Sequence, residues 1–384
     1  MSSTYRIVDA DSHLNPPPTF WADYLPARFR ERAPRVEPGE DADYVVFEGA
    51  RKKLNITGAL AGTKEENWKT EGRLSETARG GYEASVRLAE MKQDGMDAAI
   101  IYGGGPLGSK DPELFLSSFE AYNRFLADFC SHDKSRLFGV GYLPMHDVGE
   151  AVRIMREAHR LGLRGVNIPA FPFSLDVLEQ NSKRPAGTLG MAAMAGDPAS
   201  PRQYDNPEFH PFWEAAIELG MPITIHLGGR TVRMQGDRFI TDLVMSKFSM
   251  AEPIAILILN GVFQRYPELR FVSVESGVGW MPFMADYMDK TWARHRHWTK
   301  SPLKNPPSFY MDQNVYGSFI HDAVGVATRH LPGGKNIMWS SDYPHSESTF
   351  PNSNGMIAKL FAGVPEEEKN EIICGRAKKL FHIG

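Results

Sequence analysis

Ile7-Val8-Asp9-Ala10-Asp11-Ser12-His13 is a short apolar run that ends in two polar side chains, Asp11 and His13, shortly before the turn-forming Pro16-Pro17-Pro18. The same order of residues returns in Pro222-Ile223-Thr224-Ile225-His226, in Phe271-Val272-Ser273-Val274-Glu275 and in Ile337-Met338-Trp339-Ser340-Ser341-Asp342. Each run closes on an acid or an imidazole just ahead of a Gly or Pro turn. Polar residues at the C-terminal ends of buried parallel strands are where a β/α barrel builds its site, on the face formed by the βα loops.

Working outward, further apolar runs at residues 98–102, 137–142, 165–168 and 315–316 bring the number to eight. Between them lie stretches with apolar residues three and four apart, such as Phe115, Phe119, Tyr122 and Phe125, or Val152, Met155, His159 and Leu161. Strands alternating with helices predict a parallel sheet, and eight of them predict closure into an α/β (β/α)8 TIM barrel. Residues 35–80, after the first strand, and 171–206, after the fourth, exceed a minimal barrel and are read as insertions, with extra helices after the eighth strand around residues 365–381. Long excursions at the catalytic end of a barrel serve as lids or substrate walls, or as solvated insertions. We expect one domain over residues 1–384.

The chain has 384 residues, a net charge of -4 and a hydrophobic fraction of 42%, enough to bury a large core. Its weakly acidic balance offers no general attraction for nucleic acid or an anionic membrane, so a small molecule or another protein is the expected partner. The start of the chain has no basic segment followed by an apolar one, and residues 254–262 are too short to span a bilayer, so a cytoplasmic protein is expected. Cys130 and Cys374 stand far apart without a CxxC partner and are read as buried thiols. Gly103-Gly104-Gly105-Pro106-Leu107-Gly108-Ser109-Lys110 lacks the Gly-Lys-Ser/Thr order of a phosphate loop and reads as a βα turn bordering a pocket. The run Arg294, His295, Arg296, His297 and Lys300 reads as a solvated helix end or a subunit contact.

Asp11 and His13 are two apart on a strand, which puts both side chains on one face. Alone, the pair reads equally as a turn cap and a core histidine. With His226 and Asp342 it makes two imidazoles and two carboxylates from three strand ends, a donor set suited to zinc or manganese. Arg230 follows the His226 turn and reads either as a bidentate clamp for a substrate carboxylate or as a salt-bridged loop residue. His345 is placed to move a proton beside Asp342, or to serve structure alone. The aromatics Trp68, Phe171, Phe173, Trp280 and Trp298 hint at an aromatic or otherwise apolar substrate.

Taken in order, Val8-Asp9-Ala10-Asp11-Ser12-His13, Ile225-His226-Leu227-Gly228-Gly229, Glu275-Ser276-Gly277-Val278-Gly279-Trp280 and Ser341-Asp342-Tyr343-Pro344-His345 resemble the amidohydrolase superfamily. The resemblance is to its branch of aminocarboxymuconate semialdehyde decarboxylase and resorcylate-type decarboxylases. It implies that Asp11, His13, His226 and Asp342 bind one divalent metal, zinc first and manganese second. It also implies a homodimer or dimer of dimers, with the C-terminal helices as one contact. Arg164-Gly165-Val166-Asn167-Ile168-Pro169 contains no lysine to bridge two metals, which agrees with a mononuclear site. Two positions depart from the pattern. Asp11 stands where many members have His or Glu, and Glu275 stands where many have a histidine.

The expected activity is a metal-dependent, non-oxidative decarboxylase for a small aromatic or unsaturated carboxylic acid. Asp342 or Glu275 would supply the proton, with His345 close by. The alternatives are hydrolysis of a C–C, amide or ester bond by a metal-activated water, with Asp342 taking its proton and Glu275 orienting it, and a barrel that binds a ligand without turnover.

Overall fold

β1 (Val8–His13) is buried along its whole length, as a strand enclosed on both faces must be. The computed structural model describes residues 5–109, 111–174, 195–197, 200–226 and 238–384. After β1 the chain leaves the barrel for an antiparallel sheet of β2 (Arg35–Glu37), β3 (Tyr44–Phe47) and β4 (Ala50–Lys53). Short 3-10 turns then carry it to Gly81. The expected insertion is therefore a folded wall.

The barrel proper follows with β5 (Ala98–Tyr102), β6 (Leu137–Tyr142), β7 (Gly165–Asn167), β8 (Ile223–His226), β9 (Phe271–Val274), β10 (Val315–Phe319) and β11 (Ile337–Trp339). Its order is β1-β5-β6-β7-β8-β9-β10-β11, every pair parallel. All eight expected runs are barrel strands. The weakest of them, 315–316, extends to five residues because Gly317 and Ser318 remain in register with Ile337 and Met338.

Helices cover the outside. α1 (Ala84–Asp94) ends at Gly95, whose φ of 80 suits a residue without Cβ. α2 (Pro112–Cys130) starts at Asp111, whose carboxylate accepts from the amides of Glu113 and Leu114, and it buries Phe115, Phe119, Tyr122 and Phe125 as expected. α3 (Val148–Arg160) turns a different stripe inward. Ala151, Ile154, Met155 and Ala158 are buried and His159 is exposed; both stripes keep three-four spacing and share Met155, and His159 lies one position, about 100°, round from the buried Ala158. α4 (His210–Glu218), α5 (Phe239–Phe248), α6 (Ala251–Leu259) and α7 (Met281–His295) complete the outer layer around β8 and β9.

The basic residues 294–300 are an exposed end of α7. Cys130 and Cys374 are buried free thiols, and burial pushes the Cys130 thiol up to about 12, away from reactivity. The C-terminal helical segment turns Ile372, Ile373, Ala377, Leu380 and Phe381 into the core. Exposed apolar side chains gather elsewhere, at Ile240, Val244 and Phe248 on α5 and Phe283 and Tyr287 on α7. No helix among the described residues is long and apolar enough to cross a membrane.

Barrel closure has a particular form. The ladder runs from β1 round to β11, and the seam between those two is joined just beyond the end of β11. There the Asp342 amide donates to the Asp11 carbonyl at 3.0 Å and the His13 amide to the Tyr343 carbonyl at 2.6 Å. One step deeper the Asp9 carboxylate takes over from the backbone. Its Oδ1 accepts from the Ser341 amide at 2.8 Å and the Asp11 amide at 3.2 Å, and its Oδ2 accepts from the Ser341 hydroxyl. Beneath the seam lies Arg87, 1% exposed. It donates to the Gly80 carbonyl at 2.9 Å and to the His13 carbonyl, with its guanidinium 4.2 Å from the Tyr343 ring centre.

Asp9→Ala strands three buried donors, so it is expected to lose about 1–3 kcal/mol for each group left without a partner, measured by urea unfolding. Asp9→Asn keeps an acceptor and loses less. Burial pushes the Asp9 carboxyl up from 3.8 to about 7, against the pull of the Ser341 hydrogen bonds. An acid raised in the folded state takes up a proton on folding, so this contribution is full below the unfolded value and is lost as pH rises through the folded one. Unfolding free energies should therefore shift in favour of Asp9→Asn, relative to the parent, between about pH 4 and pH 7. A constant difference across that window would show that Asp9 does not titrate there.

Candidate metal centre

Four strand ends meet at one point. The register of β1 against β5 breaks between Asp9 and Ser12, and after this irregularity Asp11 and His13 both face the barrel axis. His226 is the last residue of β8, Glu275 follows β9, and Asp342 lies three residues past β11. Glu275 and Asp342 both adopt positive φ, 57 and 60, a region that non-glycine residues visit rarely and that marks functional sites when the surroundings enforce it.

Nε2 of His13 lies 3.3 Å from Asp11 Oδ1 and 2.9 Å from Asp342 Oδ1. Nε2 of His226 lies 3.3 Å from the same Asp11 oxygen and 3.5 Å from Glu275 Oε2. Asp11 Oδ2, His13 Nε2 and Asp342 Oδ1 are buried without a well-aligned hydrogen bond among the described residues. Carboxylate and imidazole lone pairs that converge at these distances are what a cation between them would satisfy. Potential ligand atoms of Asp11, His13, His226 and Glu275 all lie within 4.8 Å of one another, as do those of His13, Glu275, Asp342 and His345.

The charges agree. Burial alone would raise Asp11, yet the facing His226 and His13 outweigh it and hold the acid at about 2. Asp342 is likewise held below its ordinary value, burial being overcome by His345 and His13. Burial works to lower His13, but Asp11 and Asp342 lift it well above its ordinary value. A buried site that keeps its carboxylates ionised and favours positive charge among them suits a divalent metal.

Of the residues expected from the sequence, Asp11, His13, His226 and Asp342 converge. His345 joins them, its Nδ1 3.0 Å from Asp342 Oδ1 and its ring stacked on that of His13 at 4.0 Å. Glu275 lies within the same cluster. Arg230 falls outside the described residues. Phe171 and Phe173 are core, Trp298 is 74% exposed, and Trp68 is partly exposed with its indole N–H on the Thr63 carbonyl. Trp280 lines a groove beside α5, so these five do not gather at one place.

Two residues escaped the sequence reading. Tyr102 closes β5 by the same strand-end rule that found the others. Its side chain is fully buried, and its ring centre is 5.2 Å from that of His226. Lys247 carries no such signal, because it sits inside α5, yet its Nζ reaches the Glu275 carbonyl at 2.7 Å and Oε1 at 3.2 Å.

Two cavities flank the cluster. One of about 570 Å³ lies between the β2–β4 sheet and the Gly104–Gly108 turn, which borders a pocket as expected. Gly58 in its wall packs so closely on His345 that a Cβ there would stand 3.2 Å from the imidazole. The other, about 590 Å³ and more open, is lined by Val244, Lys247, Phe248, Trp280, Val324 and Glu347 among others.

Comparison with known proteins places this geometry in context. A family model described as amidohydrolase matches residues 8–383. The chain is 24% identical over 317 residues to a gamma-resorcylate decarboxylase of Polaromonas sp. (strain JS666 / ATCC BAA-500), covering 77% of this chain and 86% of that one. Its fold is similar to an amidohydrolase of Mycobacterium avium subsp. paratuberculosis K-10, with a TM-score of 0.74 at 17% identity over 100% of this chain and 99% of the other. It is also similar to a dihydroxybenzoic acid decarboxylase of Polaromonas sp. JS666 with bound manganese and the inhibitor 2-nitroresorcinol. That match has a TM-score of 0.61 at 17% identity, over 99% and 97% of the two chains.

Proposed function

The chain belongs to the amidohydrolase family, and on that footing we propose that it is a metal-dependent, non-oxidative decarboxylase of a small aromatic carboxylic acid. The observation that carries this reading is the convergence of buried ligand atoms from Asp11, His13, His226 and Asp342, several of them without a well-aligned hydrogen bond among the described residues. The gamma-resorcylate decarboxylase relative supports the reaction class. Asp11, His13, His226 and Asp342 would hold one divalent ion. Their mixed nitrogen and oxygen donors suit zinc or manganese, and the manganese in the similar decarboxylase structure favours the second. When bound, that ion would fix the substrate carboxylate and a neighbouring oxygen and spread their charge.

The reaction itself needs one proton on the carbon that bears the carboxylate, return of the C–C bond pair to that carbon, and departure of CO2. The Asp342–His345 pair is the place for that proton, since Nδ1 stands 3.0 Å and 3.1 Å from the two carboxylate oxygens. Burial is outweighed by His345 and His13, which hold Asp342 ionised, so it serves as the acceptor side of that pair. The mainly apolar cavity beside Gly58 is the space for the aromatic ring. Self-association, expected above at the C-terminal helices, is assigned to the exposed apolar faces of α5 and α7.

Incubation of the manganese-loaded protein with a panel of hydroxybenzoates in D2O containing 18O tests the reading. Release of CO2 with one deuterium on the carbon that had borne it is the expected result. Solvent 18O in an organic product, with no CO2, would make the protein a hydrolase instead.

A further inference from the structure

Glu275 stands at the end of β9, and its place in the cluster is that of a donor atom. Its Oε2 lies 3.5 Å from His226 Nε2, and it and His13 are the two residues common to both groups of converging ligand atoms. Its other oxygen is taken. Lys247 Nζ sits 3.2 Å from Oε1 and 2.7 Å from the Glu275 carbonyl, gripping side chain and backbone together. The backbone of Glu275 is held at φ 57, the same rare region as that of Asp342 at 60. Two strand ends thus carry their carboxylates toward the same buried atoms by the same conformation.

A carboxylate fixed through one oxygen by an ammonium, with the second oxygen 3.5 Å from His226 Nε2 and within the converging set of ligand atoms, is the arrangement of a ligand with an orienting partner. A base or proton donor would need an open side toward substrate.

The geometry points to Glu275 as a direct ligand of the metal, alongside Asp11, His13, His226 and Asp342, with Lys247 as the residue that orients it. This rests on the metal-binding reading of the site and goes beyond it. A third carboxylate makes the donor set harder and more anionic, so it shifts preference from zinc toward manganese. It also leaves proton delivery to the Asp342–His345 pair.

Competition between the protein and a fluorescent chelator for Mn2+ and for Zn2+ tests this without recourse to activity. Glu275→Gln is expected to weaken Mn2+ binding by more than about 100-fold and Zn2+ binding by less. Lys247→Met, which leaves every ligand in place, is expected to weaken Mn2+ binding by about 10–100-fold, the usual effect of losing an orienting partner. The EPR spectrum of bound Mn2+ should change in both.

If the parent binds Mn2+ tightly and Glu275→Gln binds it within about threefold, Glu275 is not a ligand and the inference falls while the metal site stands. If Glu275→Gln fails to fold, Lys247→Met decides, and parent-like Mn2+ affinity and spectrum in that variant overturn the inference. If the parent itself binds neither ion, the metal-binding reading falls and this inference with it.

Discussion

The Asp342→Asn variant is expected to fold as the parent does and to lose decarboxylation by roughly 10²–10⁴-fold, the range for removing a positioned proton-transfer group. Asparagine is among the few residues that accept positive φ readily, so the backbone at φ 60 has no reason to move. What disappears is one negative charge between His13 and His345, and with it an anionic ligand atom and the partner of the His345 proton. Parent-like circular dichroism and melting of the metal-free proteins, together with lost turnover and weakened metal binding, would identify the charge as the cause. Asp342→Ala is the less informative change, since it also puts an ordinary side chain into a strained conformation. A rate for Asp342→Asn within a few-fold of the parent, at equal metal content, would remove Asp342 from the reaction.

Metal removal should have the second large effect, and on two observables at once. An ion that binds the folded chain and not the unfolded one stabilises it by about 2.7 kcal/mol at a hundred times its dissociation constant. Exhaustive chelation is therefore expected to abolish turnover and to lower the melting temperature by several degrees. Added Mn2+ should restore both. Mg2+ and Ca2+, which prefer all-oxygen surroundings, should restore neither at a site containing His13 and His226. Full turnover in protein shown to be free of metal would overturn the proposed function, whatever the melting temperature did.

How much of this was legible in the chain depends on the range of the forces involved. The eight strands could be read because burial on both faces demands continuous apolar runs. The candidate ligands could be read because each stands where such a run stops. Asp11, His13, His226, Glu275 and Asp342 are all visible by that rule, and Tyr102 obeys it too and was overlooked. The inward stripe of α3 was misplaced because Ala151 and Ala158 are small, and small buried residues leave a weak pattern beside a conspicuous His159. Lys247 was not legible at all. Its function depends on where α5 lies against the end of β9, and nothing in the residues around it records that long-range fact. The role of Glu275 was obscured for the same reason, since an acid at a strand end serves as base or ligand according to who holds its other oxygen.

The seam carries a consequence for the making of the protein. β1 is the first barrel strand to be synthesised and β11 the last, and the two are fastened by Asp9 on Ser341 and by Asp342 on Asp11. Asp11, His13, His226 and Glu275 leave the ribosome long before Asp342 does. A nascent or truncated chain thus presents an incomplete set of donors and an open sheet edge, while a finished one closes both in a single event. The stability that a bound ion would add is therefore open only to chains translated as far as Asp342.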